Sequence, residues 1–103
     1  DLLASMAKPG ARPCDLRAAL VKFQKEHGYF EEGGICGHGQ GTDLLERPGF
    51  LDGETMALEE NMFISIHPGM ETRDAWGFNT DSYLVTKNGA ERLNRTARGI
   101  FKI

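Results

Sequence analysis

Long hydrophobic runs are missing from this 103-residue sequence. Nothing in it approaches the roughly 18 apolar residues that a membrane-spanning helix needs, so no membrane partner is expected. A basic excess is missing too. Twelve Lys and Arg against 15 Asp and Glu leave a net charge of −3, whereas a nucleic-acid partner would call for a basic stripe. Cysteine is scarce: Cys14 and Cys36 sit in different segments with no CxxC spacing. One disulfide would be compatible with that, but we read them as two free thiols of a cytoplasmic protein. Repeats and low-complexity tracts are absent, and the length fits one domain at most.

What the chain does have is a glycine-framed histidine, Gly37-His38-Gly39-Gln40-Gly41, followed by Glu46-Arg47-Pro48. Glycine permits positive φ or a close backbone approach, and an imidazole held there can bind a metal or move a proton. On its own the stretch is equally readable as a loop histidine without chemistry. Two later stretches give it weight. Asn61 to Gly69 reads as a buried strand running into a turn, with Met62, Ile64 and Ile66 on one face and Phe63, Ser65 and His67 on the other. Thr80 to Leu93 reads as a closing hairpin turned by Asn88-Gly89.

The clearest helix expectation runs from Pro13 to about His27. Leu16, Ala19, Leu20 and Phe23 form one apolar stripe, Pro13 and Asp15 suit the start, and Gly28 suits a left-handed cap. His27 falls at the helix end and is expected to be a solvated cap residue. Asp1 to Ala7 resembles the last turns of a helix that begins without a cap and stops at Lys8-Pro9-Gly10. A chain starting inside a helix is expected to be a fragment. Leu58 to Asn61 should be a turn, with Asn61 tolerating the left-handed region. Residues 94–103 carry no assignable pattern.

Taken in order, Gly-His-Gly-x-Gly with its Glu-x-Pro stretch, the Asn61-Met62 to His67-Pro68-Gly69 strand, and Val85-Thr86 to Gly89-x-Glu91-x-Leu93 resemble one known scaffold. It is the C-terminal half of the "pita-bread" fold shared by methionine aminopeptidase, prolidase, Xaa-Pro aminopeptidase and creatinase. The resemblance covers about Cys14 to Leu93. It implies an α+β fold, a curved and mainly antiparallel sheet covered by helices on one face, with the other face holding the site. Residues 1–103 would form a partial domain whose N-terminal half is missing. A companion is therefore expected, either that half or a second subunit, with a homodimer as the expected assembly.

In the metallopeptidase members two Asp, one His and two Glu hold two metal ions. The resemblance places His38 at the His position, His67 at the first Glu and Thr80 at the second. The two Asp would belong to the missing half. Imidazole can ligate but brings no negative charge, and threonine is a poor ligand. Asp81, one residue along the strand, should point away from the side of His67. Leu45 stands where peptidase members carry a second His that polarises the substrate amide. Gln40 is not diagnostic, and Glu46 and Pro48 fit the pattern as loop anchors.

Three losses on a preserved scaffold imply a two-metal site given up. At most one divalent ion (Mn, Fe, Co or Zn) is expected, and none is an equal option. His38 and His67 are the candidate catalytic pair and the candidate metal ligands, expected to face one cavity. The first functional reading is a metal-free or mononuclear hydrolase of a small amide or peptide, since creatinase works without metal. The alternative is a non-catalytic relative that binds a ligand or peptide. Two upstream Asp at the family's spacing would favour metal, and polar substrate clamps without them would favour metal-free catalysis.

Overall fold

The computed structural model describes residues 1–103. Helix α1 (Leu2–Met6) is followed by α2 (Pro13–Glu26), whose start is fixed by Arg12 in extended geometry and Pro13 in the first turn. Proline loses nothing there, because the first helical N–H groups have no intrahelical partner. At the other end Nδ1 of His27 donates to the Phe23 carbonyl oxygen at 2.9 Å, the two rings stack at 4.1 Å, and Gly28 takes φ 75°. His27 is thus an end-of-helix residue, as its position suggested. Leu16 and Leu20 are buried, and so are two polar neighbours, Arg17 and Gln24.

Seven strands follow: β1 (Gly37–Gly39), β2 (Glu46–Gly49), β3 (Phe63–Ile66), β4 (Gly69–Glu71), β5 (Trp76–Phe78), β6 (Asp81–Thr86) and β7 (Gly89–Arg92). Five make an antiparallel sheet in the order β2-β1-β3-β6-β7. Directly opposed residues share a face, so Ile64 with Tyr83 and Ile66 with Asp81 point one way. There Ile64, Ile66, Tyr83 and Val85 join Leu3, Ala7, Leu16 and Leu20 in the core. His38, Ser65 and Ser82 are in register on the opposite face. The expected α+β arrangement, a mainly antiparallel sheet with helices on one face, is the observed one.

Three local readings need correction. His38 is the middle of β1, not part of the loop, which starts after Gly39. The β6–β7 connection consists of Lys87 and Asn88, one residue earlier than Asn88-Gly89, because Thr86 pairs with Gly89. Neither linking residue has positive φ, so Asn88-Gly89 is not used as a left-handed pair. Asn61, by contrast, has φ 70° as expected. The β4–β5 hairpin was not foreseen. Its strands are short, and its turn is built locally by Thr72, whose Oγ1 accepts from Ala75 N at 3.1 Å while Thr72 N donates to the Ala75 carbonyl at 2.8 Å.

Candidate functional site

The two glycines around His38 are needed for space. Neither has positive φ. A Cβ on Gly37 would sit 2.9 Å from both the Phe50 ring and the Ser65 carbonyl oxygen, and one on Gly39 would sit 2.5 Å from the Arg47 carbonyl oxygen. Real side chains do not approach that closely, so the core-facing positions beside His38 must be bare for β2 and Phe50 to close in. The strand thereby delivers one side chain, the His38 imidazole, to the opposite face, where it is only 7% exposed. Nδ1 of His38 lies 2.8 Å from the carbonyl oxygen of Gly39. A carbonyl only accepts, so Nδ1 carries the proton and a neutral His38 presents the lone pair of Nε2.

Beyond β1 the loop is anchored as its Glu-x-Pro pattern implies. Oε1 of Glu46 accepts from Asp43 N at 2.7 Å, and Gly41 leaves the carboxylate room that a Cβ, 2.7 Å from Oε2, would take. Glu54 fixes β2 from outside and was not singled out in the sequence. Its carboxylate accepts from the Arg47 guanidinium, from Gly49 N at 3.0 Å and from Met56 N at 2.9 Å. Arg47, then the two backbone donors, hold its pKa down at about 2.

His67 continues the line of β3, its backbone N–H donating to the Cys36 carbonyl at 2.9 Å. The turn after it is gripped from two sides at Gly69. Gln24 Nε2 donates to the Gly69 carbonyl at 2.9 Å, and Gly69 N donates to Glu32 Oε2 at 2.8 Å. Gln24 Oε1 accepts from Glu32 N at 2.8 Å, which ties the two grips together. Gln24 is 1% exposed and falls four residues after Leu20 and eight after Leu16, a spacing that puts it on their buried face. The ring centroids of His38 and His67 are 5.1 Å apart, so the structure brings these two predicted residues together. His67 also lies 5.8 Å from Phe78. Burial lowers the His67 pKa, the neighbouring His38 lowers it further, and Glu32 pulls the other way.

Thr80 directly precedes Asp81, which pairs with Ile66, so in the β3–β6 register it follows across from His67. Thr80 is exposed between β5 and β6, and Leu45 is 56% exposed in the β1–β2 loop. Asp81 points to the core face, opposite Ile66, as strand alternation required. It accepts from Arg92 Nε at 2.7 Å, Asn79 Nδ2 at 3.1 Å and Arg98 Nε at 2.8 Å. Burial would raise its pKa, but these donors outweigh it and the pKa falls. No three His, Cys, Asp or Glu side chains come together as a metal-binding group. Two imidazoles alone do not fit a pair of dications, which need several carboxylates to offset their mutual repulsion. A cavity of about 590 Å³ lies elsewhere, on the helix side, between α1, α2 and the β4–β5 hairpin, and is lined by Leu3, Leu20, Ile66, Phe78 and Tyr83 among others. Neither imidazole lines it, so the expectation of one cavity shared by both rings holds only as ring-to-ring proximity.

An antiparallel sheet backed by helices, with a glycine-framed histidine on its other face, defines the aminopeptidase and prolidase class of pita-bread proteins. The chain belongs to the Metallopeptidase family M24, whose pattern matches residues 1–92. It is 35% identical over 94 residues to an Xaa-Pro dipeptidase of Pyrococcus furiosus, covering 89% of this chain and 27% of that protein. It is 33% identical over 102 residues to an ectoine hydrolase of Halomonas elongata, covering 93% of this chain and 25% of the other. The crystal structure of the prolidase from Pyrococcus horikoshii superposes with a TM-score of 0.85 at 32% identity, covering 96% of this chain and 29% of that one. The chain spans about a quarter of the length of these relatives. No helix in it is long and apolar enough to cross a membrane.

Proposed function

We propose that this chain is the His-bearing part of a small-amide hydrolase, acting on an Xaa-Pro-like peptide or a comparable small amide, in which His38 and His67 perform acid–base chemistry. The single observation that carries the reading is the pair itself, two imidazoles at 5.1 Å with His38 nearly buried on the face of the sheet away from the helices. His38 Nε2 is the base. It takes a proton from a water that adds to the amide carbonyl, and returns that proton to the nitrogen as the C–N bond breaks. His67, whose pKa is lowered by burial and by the neighbouring His38, flanks the base.

The reading includes a degraded metal centre, with His67 and Thr80 at two carboxylate positions and at most one divalent ion bound. It also includes a companion, an upstream half or a second copy in a homodimer, and a cytoplasmic setting that suits two unpaired cysteines. The Xaa-Pro dipeptidase relatives support a peptide substrate, and the ectoine hydrolase relative supports ectoine or a compound like it.

The test is turnover of Xaa-Pro dipeptides by the protein and by His38→Gln. Loss of about two to four orders of magnitude in kcat with KM little changed is the expected result for a general base. Equal turnover by both proteins overturns the assignment. Absence of turnover with saturable peptide binding favours the non-catalytic, peptide-binding alternative.

A further inference from the structure

We propose that the face of the β4–β5 hairpin beside His67 binds an organic cation, an ammonium or amidinium group carried by the substrate. The proposal deepens the hydrolase reading and rests on it for the identity of the substrate.

Four rings form a row. Trp76 and Phe78, two positions apart on β5, share a face and stack with 5.8 Å between centroids and 10° between planes. Phe78 lies 5.8 Å from His67, and His67 lies 5.1 Å from His38. The outer two rings are open, Trp76 67% and Phe78 54% exposed, while His38 at the inner end is nearly buried. The row therefore leads from solvent to the proposed base.

Carboxylates border the same face. Glu71 pairs directly with Trp76, and Gly69 with Phe78, so both lie on the aromatic side of the hairpin. Gly69 leaves a bare spot opposite Phe78. A Cβ there would be 3.3 Å from Glu32 Oε2 and 3.7 Å from Trp76 Nε1, which puts the Glu32 carboxylate and the indole at its edge. Glu32 accepts from Gly34 N and Gly69 N and has no ion pair. Arg17 donates to the Glu32 carbonyl but pairs its guanidinium with Asp52, and the hairpin's own cation, Arg73, lies in the turn. Aromatic faces carry negative potential, and with two carboxylates beside them they attract a cation and repel an anion.

Trp76 is the only tryptophan in the sequence, so its fluorescence reports binding directly. The protein would be titrated with tetramethylammonium, with glycyl-proline, and with N-acetyl-glycyl-proline, which lacks the cation. Saturable change with the first two and none with the third is expected. Phe78→Leu keeps a large apolar side chain but removes the π face, and should weaken both cation affinities about tenfold. Glu71→Gln should weaken them about threefold. Equal binding of the acetylated peptide, or unchanged affinity in both variants, overturns the site. Should Phe78→Leu fail to fold, Glu71→Gln and the acetylated probe decide it. His38→Ala separates the two claims. Turnover lost with cation affinity kept supports both. Cation binding that responds to Phe78, with no turnover in any form, leaves the site standing and sinks the hydrolase reading. Turnover with no cation dependence does the reverse.

Discussion

Gly37 and Gly39 show what a short motif encodes at the scale of single residues. Gly39→Ala would drive a methyl into the Arg47 carbonyl oxygen 2.5 Å away, so β2 must move. A loss of about 1–3 kcal/mol in stability is expected from such overpacking, measured by urea unfolding, with lower turnover because His38 is carried on the same strand. The cysteines differ by burial. Cys14 is half-buried, whereas Cys36 is fully buried and its thiol pKa is pushed up to about 11, mainly by desolvation. A thiol reagent at pH 8 should therefore modify one cysteine rapidly and Cys36 only on unfolding. Equal rates would contradict the core placement. Three groups with lowered pKa give the acid limb of stability: His67, Glu54 and Asp81. The folded His67 holds its proton more weakly than an ordinary histidine at 6.5, so its contribution is complete above that value and declines as the pH falls through it. Glu54 has its pKa lowered from 4.5 to about 2, so its contribution is complete above 4.5 and is lost between those two values. Urea midpoints across pH 2–8 should show both declines, and Glu54→Gln should shrink the lower one, leaving the share of Asp81.

Among the elements, α2 does more than cover the sheet. Gln24 reaches Gly69 and Glu32 from its buried face, linking the helix to the turn that follows His67. Gln24→Ala strands two backbone groups, so a loss of about 2–4 kcal/mol is expected, larger than for its exposed neighbour Lys25→Ala. Amide exchange at Gly69 should rise with it. Equal, small losses for the two variants would show that the grip carries no stability. The helix and β3 were legible because each follows a period or a cap: the Leu16–Leu20 stripe, the Ile64–Ile66 alternation, Gly28 and Asn61. The β6–β7 hairpin was legible as a hairpin from Asn88-Gly89, but with its turn one residue off. The β4–β5 hairpin was not, since three-residue strands carry no period and its turn depends on one threonine. The place of His38 was misread for a related reason. Glycines on both sides look like a loop, yet here they are bare core-facing positions of a strand, and only the third dimension supplies Phe50 and Arg47. The clustering of Asp81 with Arg92 and Arg98 was equally invisible, because Arg98 lies 17 residues away in a segment without pattern.

For the whole molecule, the exposed large hydrophobics bear on assembly. Leu44, Leu45, Trp76, Phe78, Ile100 and Phe101 all lie open. A surface of this kind fits the proposed companion, and sedimentation should find the chain associated with itself or an upstream half. A monomer whose sheet amides are all well protected would contradict that proposal. The central claim concerns what the two imidazoles do. It was legible in the sequence as far as the pairing of His38 with His67, because the resemblance placed both on one scaffold. The 5.1 Å separation, the Nδ1–H bond to Gly39 and the absence of a third donor needed the fold. One measurement tests the claim most directly: metal content and Xaa-Pro turnover determined on the same sample of the protein, before and after exhaustive chelation. If the imidazole pair is the base, the protein holds no more than one equivalent of Mn, Fe, Co or Zn per chain, and turnover survives its removal. Two equivalents per chain, with turnover lost on chelation and restored by the metal, would contradict the claim.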